Sequence, residues 1–160
     1  MKYVILIGTR HSTQRNLERT EFSDYVESIA KQYGVKAIAE EIDESPSVVQ
    51  RLSKYLNVKY INIEPSMNER EELGIYRFPS LIDLAVYQEF GNVESKGAHN
   101  EIERRMQSDC RKRENEWLRR IDNLGVFPIL VVCGANHVEP FSLLLRNNDY
   151  SVDIACTLKE

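Results

Sequence analysis

Two short stretches, "GTRH" at residues 8–11 and "GANH" at 134–137, each place a histidine three positions after a glycine at the end of an apolar run. A neutral imidazole binds transition metals and accepts protons near pH 7, so His11 and His137 suit a metal site or general-base work. Seven glycines and three histidines in 160 residues give roughly 0.13 GxxH matches by chance. Two matches, both after strand-like runs, exceed that expectation. Three carboxylates complete the inventory: Glu40 and Glu41 in "IAEEID", and Glu64 in "NIEPS". Two imidazoles and a carboxylate make a nitrogen and oxygen shell suited to manganese, iron, cobalt or zinc, and the residue types do not choose among these. Arg10 in the first motif, Arg70 in "NERE" and Arg113 in "RENEW" are candidates to bind an anionic group or developing negative charge. The third histidine, His99, reads as an exposed loop residue.

The elements that must carry these residues follow from periodicity. Tyr3–Ile7 is a continuous apolar run closed by Gly8, as expected of a strand buried on both faces of a parallel sheet. Phe22, Val26, Ile29, Ala30 and Tyr33 share one helical face, with Thr20 or Ser23 as a cap and Gly34 as the left-handed stop. Val35–Glu41 reads as a second strand. Ser45 and Pro46 read as the N-cap and first residue of a helix over Val48, Val49, Leu52 and Leu56, and Val58–Ile63 as a third strand. Further on, the pattern predicts a helix over 80–90 opened by Ser80 and stopped by Gly91, then a loop, "GNVESKGAHN". A long charged helix over 100–124 follows, then a strand over 127–133, a short helix over 139–146 and a fifth strand over 151–156.

Alternating strands and helices predict an α/β fold: an open, mainly parallel five-stranded sheet with helices on both faces, in one domain over residues 1–160. In such sheets the loops leaving the C-terminal strand ends form the ligand crevice. In the common 3-2-1-4-5 strand order, the first and fourth strands are neighbours where the order reverses, and the two GxxH loops face each other. Glu40 and Glu41 end the second strand, where side chains alternate, so only one of them need enter the site.

The long helix carries a stripe of Ile102, Met106, Cys110, Trp117, Ile121 and Leu124, with Arg113 inside it. A cation on an inward face requires an anionic partner, from the protein or from a ligand. The helix is long enough to invite homodimerisation. Its basic residues do not form a nucleic-acid stripe, because residues 101–120 hold seven basic and five acidic side chains, a mixture typical of a solvated face. A formal charge of -4 likewise gives no reason to expect nucleic acid. The start "MKYVILIG" is too short an apolar run for a secretory or membrane-spanning segment, and the three cysteines lack clip spacing. A cytoplasmic protein with no membrane partner is the expectation.

These motifs in this order resemble the superfamily that includes the TraB proteins, the Tiki membrane proteases, the erythromycin esterases and a haem-binding bacterial lipoprotein. The matching residues are "GTRH", the glutamates of "IAEEID", the arginine opening "RENEW" and "GANH"; "RENEWLRRIDNL" followed by "PILVVCGANHVEPFSLLLRNNDYSV" looks especially like its C-terminal half. The resemblance implies hydrolysis of a small-molecule or peptide substrate, metal-dependent in the Tiki branch. His11, His137 and a glutamate would then hold the metal or act as base, with Arg113 steadying charge. The alternative expectation is a binding or sensor module that takes a nucleotide or other small anionic ligand without turnover, although no Walker A or GxGxxG loop is present.

Overall fold

The structure is a computed structural model that describes residues 1–43 and 45–158. It contains two compact units: residues 1–64 together with 117–160, and residues 65–116.

The first unit is built on five parallel strands: β1 (Tyr3–Thr9), β2 (Ala37–Glu40), β3 (Lys59–Asn62), β4 (Ile129–Gly134) and β5 (Ser151–Thr157). Their order is β3-β2-β4-β1-β5. The fold class is as expected, but the order differs from 3-2-1-4-5, with β4 inserted between β2 and β1. Burial explains the exchange. Ile129–Cys133 are fully buried, so β4 needs neighbours and helices on all sides, whereas β3 and β5 carry exposed residues along their length and take the edges. The neighbour relation between β1 and β4 is kept, with Gly8 opposite Cys133 and Thr9 opposite Gly134.

Strand alternation divides the core. Ile5, Ile7, Ile38, Leu130 and Val132 face α2 (Thr20–Tyr33) and α3 (Val48–Leu56), meeting Phe22, Val26, Val48 and Val49. Val4, Leu6, Ala37, Ala39 and Val131 face the opposite way, meeting Trp117 and Ile121 from α6 (Lys96–Leu124) and Phe141 and Leu145 from α7 (Val138–Asn147). Gly34 closes α2 at φ 59°, the left-handed stop expected there. Neither proposed cap of α2 is used, since Arg19 precedes the helix without a side-chain cap bond. Ser47, not Ser45, caps α3: its hydroxyl accepts from Gln50 N and also donates to Glu40, so the buried network sets the helix start two residues later.

The second unit contains α4 (Met67–Glu72), α5 (Pro79–Phe90) and most of α6, around a small core of Ile82, Val86 and Ala98 flanked by Tyr76 and Ile102. α4 opens with a reciprocal capping box of Ser66 and Glu69. α5 starts with Pro79 at N1 behind Phe78 rather than with Ser80 as cap, and stops at Gly91. α6 begins four residues earlier than the stripe suggested, with Ser95 Oγ accepting from Ala98 N; His99 is therefore an exposed helical residue, not a loop residue. Trp117 and Ile121 are fully buried, but Met106, on the same predicted stripe, is 46% exposed. No described helix is long and apolar enough to cross a membrane.

Candidate functional site

The site forms at the C-terminal edge of the sheet, from the ends of β1, β2 and β4. β1 ends at Thr9, Arg10 continues in extended conformation, and a single short helix, α1 (His11–Arg15), begins at the histidine. β4 ends at Gly134 and passes through one 3-10 turn, Ala135–His137, into α7. Both motif glycines stand where the chain passes close to a neighbour. A Cβ on Gly8 would lie 2.5 Å from Val138 Cγ2, and one on Gly134 would lie 3.3 Å from Glu41 Oε1. The spacing of GxxH thus reflects a strand that must run bare against its neighbour before turning to present an imidazole.

Glu41 is the meeting point. His11 Nε2 and His137 Nε2 each lie 3.8 Å from the same atom, Glu41 Oε2. The other oxygen, Oε1, accepts a 2.7 Å hydrogen bond from Gly134 N. The carboxylate is 2% exposed at its side chain, His137 11% and His11 42%, so the cluster opens to solvent on the His11 side. His137 also packs edge-on against Trp117, with ring centroids 4.8 Å apart, and Trp117 in turn against Phe141. A cavity of about 750 Å³ lies over the cluster, lined by Thr9, Arg10, His11, Gly134, Asn136 and His137 among others.

Glu40 turns to the other face of β2. Its Oε1 accepts from Ser47 Oγ at 2.5 Å and Tyr60 OH at 2.6 Å, and its Oε2 from Gln14 Nε2 at 3.0 Å. Burial pushes its pKa up, and the three donors and the nearby His11 pull against that shift. The same burial, with the neighbouring Glu40 charge, pushes the Tyr60 hydroxyl far above its ordinary value.

Gln14 joins the two glutamates to His11. Its amide nitrogen donates to Glu40 Oε2 and to the Glu41 carbonyl, both at 3.0 Å, which turns its amide oxygen toward His11 Nδ1, also 3.0 Å away. An amide oxygen only accepts, so Nδ1 of His11 carries the proton and Nε2 presents its lone pair toward Glu41 when the ring is neutral.

Glu64, buried, follows β3, two strands from β4 in the sheet order, or roughly 10 Å at ordinary strand spacing. Arg10 is exposed on the cavity wall. Arg70 and Arg113 are half-buried residues of the second unit, Arg70 donating to the Arg77 carbonyl. His11, His137 and Glu41 belong to the first unit.

As they stand, no group of three or more His, Cys, Asp and Glu side chains among the described residues is drawn closely enough to hold a metal ion. The residue types, two imidazoles and a carboxylate, are nonetheless those that a divalent ion takes. Gln14 and Gly134 N are the outer partners that such ligands require. Sequence reasoning missed Gln14, Ser47 and Tyr60. Only Gln14 carried a signal, one helical turn after His11.

Compared with protein-family models, curated proteins and solved structures, the chain finds no match.

Proposed function

We propose that the chain is a hydrolase whose reacting centre is the cluster of His11, Glu41 and His137, and that it takes a divalent metal there: manganese, iron, cobalt or zinc. The observation that carries this reading is the convergence of both Nε2 atoms on one oxygen of a buried carboxylate, beneath an open cavity at the C-terminal edge of a parallel sheet. The resemblance of the two GxxH motifs to the TraB, Tiki and erythromycin-esterase group supports the same reading. A metal bound between the three side chains would supply Lewis acidity to the reacting centre.

The protein's own groups do the rest. Gln14 fixes the ring of His11 with its Nε2 toward the cavity, and the Gly134 N–H holds Glu41 Oε1 so that Oε2 stays turned to the imidazoles. His11, the more exposed of the two histidines, is the group placed to take a proton from an attacking water if no metal binds. Arg10, on the cavity wall, is the cation of the first unit positioned to meet negative charge on a substrate. Arg113 enters this reading through its place on the sequence stripe of α6 and through the family resemblance. A small molecule or a short peptide is the substrate class, and a cytoplasmic setting and homodimerisation through α6 belong to the same proposal.

The test is metal content by mass spectrometry on the purified chain, alongside ester, peptide and phosphoester substrate panels. Near-stoichiometric metal that is lost in both His11→Ala and His137→Ala, together with turnover lost in the same variants, supports the reading. Turnover without metal, lost in His11→Ala, selects the general-base form. No turnover on any panel ends the hydrolase proposal.

A further inference from the structure

Glu40 stands on the face of β2 turned away from Glu41, yet a continuous chain of hydrogen bonds joins it to His11. Its Oε1 takes the hydroxyl protons of Ser47, at the start of α3, and of Tyr60, on β3, which leaves Oε2 to take an N–H of Gln14. We propose that Glu40 is a positioning residue for His11, acting through Gln14 to hold the imidazole proton on Nδ1 and keep Nε2 free as a ligand or base. The ring orientation follows from the hydrogen bonds, and only its bearing on catalysis rests on the hydrolase reading.

Every polar atom of the Gln14 amide is committed. The residue is fully buried, its two N–H groups go to Glu40 Oε2 and the Glu41 carbonyl, and its Oε1 meets His11 Nδ1, each at 3.0 Å. Without Glu40, one N–H would be buried and unpaired, and the amide would turn to satisfy it, taking its oxygen from His11. The competing pull comes from Glu41. Its Oε2 lies 3.8 Å from His11 Nε2, too far for a hydrogen bond but close enough for its charge to favour a proton on Nε2. The Gln14 oxygen opposes that pull, and Glu40 keeps the oxygen in place, as the outer partner of an imidazole does when it fixes the tautomer. Helix capping alone does not account for the arrangement. Ser47 caps α3 by accepting from Gln50 N, and that bond requires no carboxylate behind the hydroxyl.

The experiment is a long-range proton–nitrogen NMR correlation on the full chain with isotope-labelled histidine, dialysed against a chelator, at about pH 8, where an ordinary imidazole is neutral. His11→Ala assigns the His11 ring among the three histidines. The ring is expected in the Nδ1–H form in the wild type, and to shift toward the Nε2–H form in Glu40→Leu. Glu40→Gln is expected to restore the wild-type form, because its amide oxygen serves Gln14 while its NH2 turns to the Ser47 and Tyr60 hydroxyls, which rotate to accept. If Glu40→Leu does not fold, Tyr60→Phe takes its place, with a smaller shift expected in the same direction. An Nε2–H ring in the wild type, a tautomer unmoved in the folded variant, or a Glu40→Gln ring no closer to wild type than Glu40→Leu overturns the assignment. The readout requires neither metal nor turnover, so an empty metal analysis and silent substrate panels would sink the hydrolase reading and leave the role of Glu40 to be decided by the tautomer.

Discussion

Gly8→Ala would place a Cβ 2.5 Å from Val138 Cγ2 and 3.1 Å from Ala135 Cα. Carbon atoms settle at about 3.5–4.0 Å, so the new methyl demands a separation of about 1 Å. Neither neighbour yields easily: Val138 is 1% exposed within the cluster of Trp117, Phe141 and Leu145, and the contact at Ala135 is with backbone. Overpacking of this kind costs about 1–3 kcal/mol. Ala135 and Val138 bracket His137, so the displacement passes directly to the imidazole. Gly134→Ala is the matched control. Its φ of -59° and ψ of 140° suit alanine, and the new Cβ would meet Glu41 Oε1 at 3.3 Å, a contact relieved by a few tenths of an ångström. Its stability is expected to stay within about 1 kcal/mol of wild type, while Glu41 is pushed from its Gly134 N–H. The chain's single tryptophan, Trp117, belongs to the first unit and is buried against His137. Urea unfolding followed by its fluorescence should show the Gly8→Ala midpoint lowered by about 0.5–1.5 M at unchanged slope. A Gly8→Ala midpoint indistinguishable from wild type, or a Gly134→Ala variant equally destabilised, would refute the close-approach account of the motif.

Gln14→Leu removes the acceptor for His11 Nδ1 while filling similar space, and should weaken metal affinity about 10–100-fold in a competitive chelator titration; unchanged affinity would show that the ring is held by other means. Glu40 has a folded-state pKa raised above the ordinary 4.5, so the native state holds its proton longer than the unfolded chain. Its contribution to stability is therefore complete at low pH and is lost as pH rises from 4.5 through the raised value; Glu40→Gln should flatten that part of a plot of urea midpoint against pH, and an unchanged slope would contradict the burial argument. Glu101 behaves in the opposite sense, its pKa lowered to about 2 by hydrogen bonds from Arg104 and Arg105. The stabilisation it gives α6 should be lost as pH falls from 4.5 through 2, visible as an acid loss of circular-dichroism helicity that shrinks in Arg105→Gln.

Much of the sheet was legible because parallel strands advertise themselves: Tyr3–Ile7 and Ile129–Cys133 are apolar without alternation, and only burial on both faces accounts for that. Helix stops were legible where glycine adopts positive φ, at Gly34 and Gly91. Starts were less so, because caps depend on what else a hydroxyl can reach. Ser47 caps α3 while also donating to Glu40, a partner 7 residues away that no local pattern names. The start of α6 was hidden for a related reason. "ESKGAHN" has the composition of a loop, and Ala98 is nonetheless drawn into a helix by burial against Ile82 and Val86.

The choice between Glu40 and Glu41 shows where local reasoning stops and topology takes over. Strand alternation already placed the two carboxylates on opposite faces, but parity alone does not say which face holds the chemistry. Glu40 follows Ile38 toward α2 and α3, where Ser47 and Tyr60 supply donors; Glu41 follows Ala37 and Ala39 toward α7 and the end of α6. The histidine of the second motif enters α7, and so lies on the Glu41 side beside Trp117. The insertion of β4 beside β2 brings that histidine within one strand of Glu41, and the neighbouring β1 delivers His11 from the next lane over. In the 3-2-1-4-5 order the lanes would be exchanged, with His137 two strands from Glu41 and separated from it by β1. The observed order lets the Gly134 amide bond Glu41 while both imidazoles reach the same oxygen, so the geometry of the cluster depends on strand order as much as on the residues themselves.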